Sequence, residues 1–350
     1  MAEYMNIKIN KRKRKGEYFN LIAEFQALFP DSKNRELLKR FRFNEDDIVP
    51  YSYCTLFTKR QSCTITDSST TTLHYLASNE FQLHIADTFK MNQNTASNCI
   101  MRVTGAIASH SAEFISLPRG NAEIRTKEAF FNYCSIPYII GSIDCTHCRI
   151  TAPNGPDEYS YVNRKNFHSI NVQAICDLDC KFLAVDCKWP GSSHDSFVLR
   201  NSNVWTYFES SASVNKTLLL GDSGYPLKPW LLVPYKNPLS PAQNRFNNAL
   251  SKARCSIERA FGQMKRRFSI NHTGYRLKTE RVPNAIMSCF ILHNIAKMFK
   301  LPEIEEEIDQ NFSEGMEEEE IEENICQNLN EQKSRQIAVN LRDELAARFN

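Results

Sequence analysis

PYIIGSIDCTHCRIT, residues 137–151, is an apolar run that reads as a strand and is interrupted by one acid, Asp144. Burying an unpaired charge is costly, so a carboxylate at this place needs a partner. Working outward, strand-like stretches recur in HSINVQAICDLDC (168–180), KFLAVDCKW (181–189), KTLLLGD (216–222) and PWLLVPY (229–235). Gly, Pro and Asn/Asp turns bound them. DSFVLRNSNVWTYFES, residues 195–210, reads as one helix between the third and fourth strands. After Pro241 a long helix runs to about Ile270, because Phe246, Leu250, Ala253, Ile257, Phe261, Met264 and Phe268 recur at three- and four-residue steps. NAIMSCFILHNIAKMF, from Asn284, is a further apolar helix. This order predicts an α/β fold, a mixed sheet with flanking helices.

The chain has 350 residues and 42% hydrophobic content, enough for a sizeable core and roughly two domains. We divide it into a helical N-terminal region (1–135), a strand-and-helix domain (136–300) and an acidic linker with a C-terminal helix (301–350). Residues 1–60 read as mostly helical. From about residue 70 to 108, a helix, a short polar turn at Lys90–Asn92 and a second helix with Asn92 as N-cap outline a helix-turn-helix. Its second helix offers Gln93, Asn94, Ser97 and Asn98 but only Arg102 as a charge, so alone it would bind DNA weakly. A plain helical packing module explains it equally well.

The net charge of +3 hides segregation. KRKRK at 11–15 suits a nuclear import signal, a phosphate-contacting arm or a solvated tail. The acidic run from Glu303 to Asn324 reads as a linker. The N-terminus lacks an apolar signal core, and no stretch is apolar enough to span a bilayer. The twelve cysteines are therefore expected as reduced thiols in a nuclear protein, with the cytoplasm also open. Cys145-x-x-Cys148 lacks a second pair at zinc spacing, which favours core thiols over a metal site.

Three acids have informative settings. Asp144 follows PYIIGSI. Asp222 ends LLLGD, where Gly221 and Gly224 let the backbone turn closely. Glu258 lies at the edge of the apolar stripe of the long helix. Cleaving a phosphodiester in line needs an activated water and a stabilised leaving oxygen, which two divalent ions about 4 Å apart can supply. Mg2+ and Mn2+ prefer carboxylate oxygens, so such a site needs carboxylates converging from separate elements. Arg254 and Lys265 fall on the side of Glu258, and Arg266 and Arg267 widen a positive band suited to DNA phosphates. Alone, Glu258 would read as a salt-bridged surface residue. Asp195, in WPGSSHDS, reads equally as a helix N-cap or a fourth ligand. His194 beside it could assist proton transfer or simply pack.

GSIDCTHCRITAPN, SYVNRKNFHSINVQAICD, WPGSSHDSFVLRNS, LLGDSGYPLKPWLLVPY, IERAFGQMKRRF and FILHNIA, in this order, resemble the PIF/Harbinger group of DDE transposases and the animal nucleases derived from them. The resemblance covers about residues 60–300. It implies a ribonuclease-H-like catalytic fold and a divalent-metal-dependent DNA endonuclease, with Asp144, Asp222 and Glu258 as the acidic triad and Asp195 as a further metal ligand. It implies DNA as substrate, with a separate Myb-like protein assisting DNA binding; oligomerisation is left open. Two departures stand out: Cys145 where many members have Gly, and Lys90 where the helix-turn-helix turn often has Gly. The competing readings are a domesticated, catalytically silent DNA-binding or adaptor protein, and an RNA-directed nuclease of the same fold.

Overall fold

The computed structural model describes residues 65–304 and 329–349. The basic block at 11–15, the helical reading of residues 1–60 and the acidic run beyond residue 304 lie outside them. The chain divides into two compact units, Met1–Ala106 and Ile107–Asn350.

The first unit contains α1 (Ile65–Ser78), α2 (Gln82–Thr88) and most of α3 (Gln93–Ala108). Asn92 does cap α3: its side-chain oxygen accepts the amide of Thr95 at 2.8 Å. Lys90 takes the left-handed conformation (φ 52°), the geometry for which glycine is the usual choice. Leu76, Ile85, Ala96 and Ile100 are fully buried and form the apolar side of these helices.

The second unit is a five-stranded mixed sheet flanked by helices. Its strands are β1 (Ile139–Arg149), β2 (Ser169–Cys176), β3 (Phe182–Pro190), β4 (Leu218–Leu220) and β5 (Leu231–Leu232), in the order β3-β2-β1-β4-β5. β1, β2 and β3 pair antiparallel, whereas β4 and β5 run parallel to β1. This mixed sheet fits a ribonuclease-H-like nuclease. Asp144 does not end β1, which continues to Arg149. The fifth strand is also shorter than PWLLVPY suggests, because only two residues pair with β4.

α4 (Ser111–Phe114) and α5 (Asn121–Cys134) precede the sheet. The expected single helix at 195–210 is two, α6 (Asp195–Arg200) and α7 (Asn203–Asn215). Ser202 causes the break: its hydroxyl donates to the Leu199 carbonyl at 2.7 Å and accepts the Trp205 amide at 3.3 Å, so one helix is closed and the next opened. α8 (Pro241–Arg267) starts at a Ser240 cap with proline in its first turn. α9 (Ile270–Thr273), α10 (Val282–Met298) and α11 (Leu329–Ala347) complete the second unit's described helices.

The two sheet faces bury different helices, as the period of two demands. Leu218 and Leu220 pack with Phe246, Leu250 and Ala253 of α8 and with Leu345 and Ala346 of α11. Leu219 and Leu231 pack with Leu199, Phe208 and Trp230 on the other side. Each such Leu or Phe contributes about 2 kcal/mol through burial. The FILHNIA motif is structural. Asn294 is fully buried and treats Phe182 as a strand partner would, accepting its amide at 2.8 Å and donating to its carbonyl at 2.7 Å. It also donates to the Phe114 carbonyl at 2.9 Å. Among the described residues no helix is long and apolar enough to cross a membrane.

Candidate active site

Ser142 of β1 pairs with Leu220 of β4 in parallel register. Asp144 and Asp222 each lie two residues further on, so the register brings them level on neighbouring chain segments, about 5 Å apart in backbone spacing. Gly221 and Gly224 make this possible at Asp222. A Cβ at Gly221 would come within 3.1–3.2 Å of Tyr225 and Leu231, and the Gly224 amide donates to Asp222 at 3.0 Å.

Asp144 accepts the Cys145 amide at 2.8 Å and a 2.9 Å bond from Arg254 of α8. The same guanidinium reaches Glu258, one turn later, at 2.7 Å. Arg254 is 7% exposed and Glu258 lies exposed beside it. The helix therefore delivers an acid to the Asp144 face through a shared arginine. Asp195 is held from β2, where Asn171 donates to it and to the Ser193 carbonyl, both at 2.9 Å. The cap position of α6 falls on His194, so Asp195 is the first residue inside the helix rather than its N-cap.

Burial pushes the Asp144 carboxyl up to about 8, against the pull of Arg254, and the nearby charges of Asp222 and Asp195 push it the same way. Asp144 thus feels both Asp222 and Asp195, although the three come from three elements. Asp195 and Asp144 also help raise Tyr225 well above its ordinary range, after burial itself. Tyr225 closes the floor of the site with its hydroxyl 3.3 Å from Cys145 Sγ and 3.4 Å from the Gln173 amide nitrogen.

A crowded set of hard oxygen donors with excess negative charge fits a divalent cation. The amide oxygen of Asn171, buried beside Asp195, has no hydrogen-bond partner, which adds an unused donor atom. As the side chains stand, no three His, Cys, Asp or Glu among the described residues are grouped to hold one ion. Arg254 lies between Asp144 and Glu258, bonded to both. Cys145 and Cys148 are three apart on β1 and so face opposite sides of the sheet; their sulfurs meet Tyr225 and Asn271 respectively.

The basic band divides. Arg254 is inside, paired with the acids. Arg267 is 5% exposed and donates to the Pro302 carbonyl at 2.7 Å, so it ties α8 to the chain after α10 and is closed to a phosphate. Lys265 and Arg266 remain partly exposed on the Glu258 side. Sequence reasoning missed Asn171 and Tyr225. The even and odd positions of β2 carry the signal for the first: HSINVQA puts polar Asn171 and Gln173 on one face of an otherwise apolar strand.

Residues 143–294 match the family described as DDE superfamily endonuclease. The chain is 32% identical over 238 residues to "Putative nuclease HARBI1" of Xenopus laevis, covering 67% of this chain and 68% of that protein. It is 35% identical over 228 residues to the protein of the same name in Bos taurus, covering 64% and 65%. "Protein ALP1-like" of Arabidopsis thaliana is 32% identical over 246 residues, covering 66% and 60%. The chain thus spans just under two thirds, 65%, of the mammalian relatives' length. No solved structure matches it. With Asp144 and Asp222 level on adjacent segments inside the matched region, and this identity across two thirds of both chains, the chain belongs to the harbinger transposase-derived family of DDE superfamily endonucleases.

Proposed function

We propose that this protein is a divalent-metal-dependent DNA endonuclease that hydrolyses phosphodiester bonds by a two-metal mechanism. The observation that supports the reading is the parallel register that brings Asp144 and Asp222 level on neighbouring segments, with Glu258 joined to Asp144 through Arg254. Asp144, Asp222, Glu258 and Asp195 would hold Mg2+ or Mn2+. The bound cation supplies an acidified water and charge neutralisation on the leaving oxygen. The residues do the rest. Asn171 and Gly224 fix the orientations of Asp195 and Asp222. Tyr225, buried beside Cys145 and Gln173, would keep bulk water from the floor. Lys265 and Arg266 would hold phosphates beside Glu258, and Arg254 balances the charge of Asp144 and Glu258. α2 and α3 would serve as a helix-turn-helix reader of DNA.

Asp222→Asn should abolish Mg2+- or Mn2+-dependent cleavage of duplex DNA and leave the tryptophan fluorescence of the folded chain unchanged. Undiminished cutting by that variant refutes the assignment. The second reading, a catalytically silent DNA-binding or adaptor protein, has one observation in its favour, the Arg254 bridge that occupies the gap between two of the acids. Calorimetric titration with Mn2+ separates the two, since a folded chain that takes up no metal is the adaptor.

A further inference from the structure

The motif SYVNRKNFHS, residues 160–169, carries two strong bases and takes no part in the acidic site. It forms a rigid turn. Asn163 is 4% exposed; its side-chain oxygen accepts the amides of Lys165 at 2.9 Å and Phe167 at 3.3 Å, and its amide donates to Ser169 Oγ at 3.1 Å. The backbone closes behind it, with the Asn163 amide on the Phe167 carbonyl and the Asn166 amide on the Asn163 carbonyl. Asn166 takes the left-handed conformation (φ 58°), which asparagine tolerates. The turn is also fastened to the loop that leads to Asp195. The Ser192 amide donates to the Ser160 carbonyl at 3.0 Å. Gly191 packs so closely that a Cβ there would fall 2.5 Å from the Tyr161 carbonyl oxygen.

This rigid turn leaves Arg164 and Lys165 exposed at its tip. Arg164 donates to Nδ1 of His194, the residue before Asp195. Beneath the tip, Arg149 at the end of β1 lies with its guanidinium 4.2 Å over the Phe167 ring. Its stem runs along Gly274 (φ 116°), where a Cβ would come 3.3 Å from Arg149 Cγ. Neither Arg149 nor Lys165 has a carboxylate partner among the described residues, and Glu158 nearby is engaged by His168 at 3.1 Å. A guanidinium aimed by an aromatic face and without a carboxylate partner is preorganised for a phosphate.

We propose that Arg149, Arg164 and Lys165 form a phosphate-binding surface that grips DNA flanking the acidic site. Only the identity of the polyanion rests on the endonuclease reading. Position supports the assignment. The turn adjoins the Asp195 end of the acidic site: Arg164 reaches His194, Ser192 bonds to Ser160, and Gly191 packs against Tyr161 and Ser169. Arg149 joins the turn through Phe167, so a duplex engaged beside Asp195 would meet all three bases.

The test is fluorescence anisotropy of the full chain with a labelled random-sequence duplex, in EDTA, across a salt series. Each phosphate that a variant no longer neutralises lowers the slope of log affinity against log salt by about 0.9. The triple alanine variant at 149, 164 and 165 should lose about 2.7 of slope and at least about tenfold in affinity at moderate salt. Arg149→Lys keeps the charge and should hold the slope while binding more weakly. Should the triple variant melt early, Arg164→Ala with Lys165→Ala, both exposed, carries the test with a loss of about 1.8. Unchanged slope and affinity in a folded variant overturns the surface. Equal loss of poly-glutamate binding would overturn its assignment to DNA. Because no cleavage is read, a wild-type chain that binds steeply but never cuts would refute the nuclease and leave the surface standing.

Discussion

Replacing Asp144 by Asn should stabilise the metal-free protein, and the gain should grow with pH. The Asp144 carboxyl lies at about 8 in the folded chain against 3.8 ordinarily, chiefly through burial, with Asp222 and Asp195 adding to the rise. A carboxyl raised on folding binds its proton more tightly in the folded state. Its contribution is complete below about pH 4 and is lost as pH climbs toward about 8. One proton gives a slope of about 1.4 kcal/mol per pH unit in that window. Between about pH 5 and pH 7 the wild type should therefore lose about 3 kcal/mol that the Asn variant keeps. Asn can still accept the Cys145 amide, and the opposing pull of Arg254 is already contained in the net shift. Urea unfolding in EDTA, followed by tryptophan fluorescence, measures this directly. Trp189, Trp205 and Trp230 all belong to the α/β unit, so the signal reports that unit. Parallel stability-versus-pH curves for the two proteins, or a gap that closes as pH rises, would refute the reasoning about the acidic cluster.

Two further perturbations test the scaffold. Gly191→Ala forces a methyl against the Tyr161 carbonyl and Ser169, both of them backbone or tightly held, and should cost about 2 kcal/mol or more in urea unfolding while loosening the Asp195 loop. Asn294→Ala strands the Phe182 amide and carbonyl and the Phe114 carbonyl inside the core, so a loss of about 3 kcal/mol is expected; a fall well under 1 kcal/mol would mean those groups find other partners.

How far the sequence discloses this molecule follows from the range of the interactions involved. Periodicity is local, so the strand that carries Asp144, the strand that leads to Asp222 and the stripe of α8 are legible in single stretches, and the levelling of the two aspartates follows once β1 and β4 are neighbours. Capping is local too, and Asn92 is readable as a cap. The break at Ser202 is equally local yet hidden, because the apolar period of 195–210 continues through it. What a sequence does not disclose is the direction of side chains whose partners are remote. Four basic residues on one helix look like one positive band. Burial divides them, since Arg254 turns toward Asp144, 110 positions away, and Arg267 toward Pro302, leaving Lys265 and Arg266 for the outside. The same blindness hides the Asn163 turn, whose sequence shows two bases between asparagines and nothing of the backbone they fix. Charge counted along a helix therefore overstates its capacity for phosphate. Charge on a turn locked by buried asparagine and glycine is understated, because the value of an arginine to a phosphate lies in how firmly it is aimed. On that ground the phosphate contacts of the proposed endonuclease should divide between the outer end of α8 and the 163–167 turn.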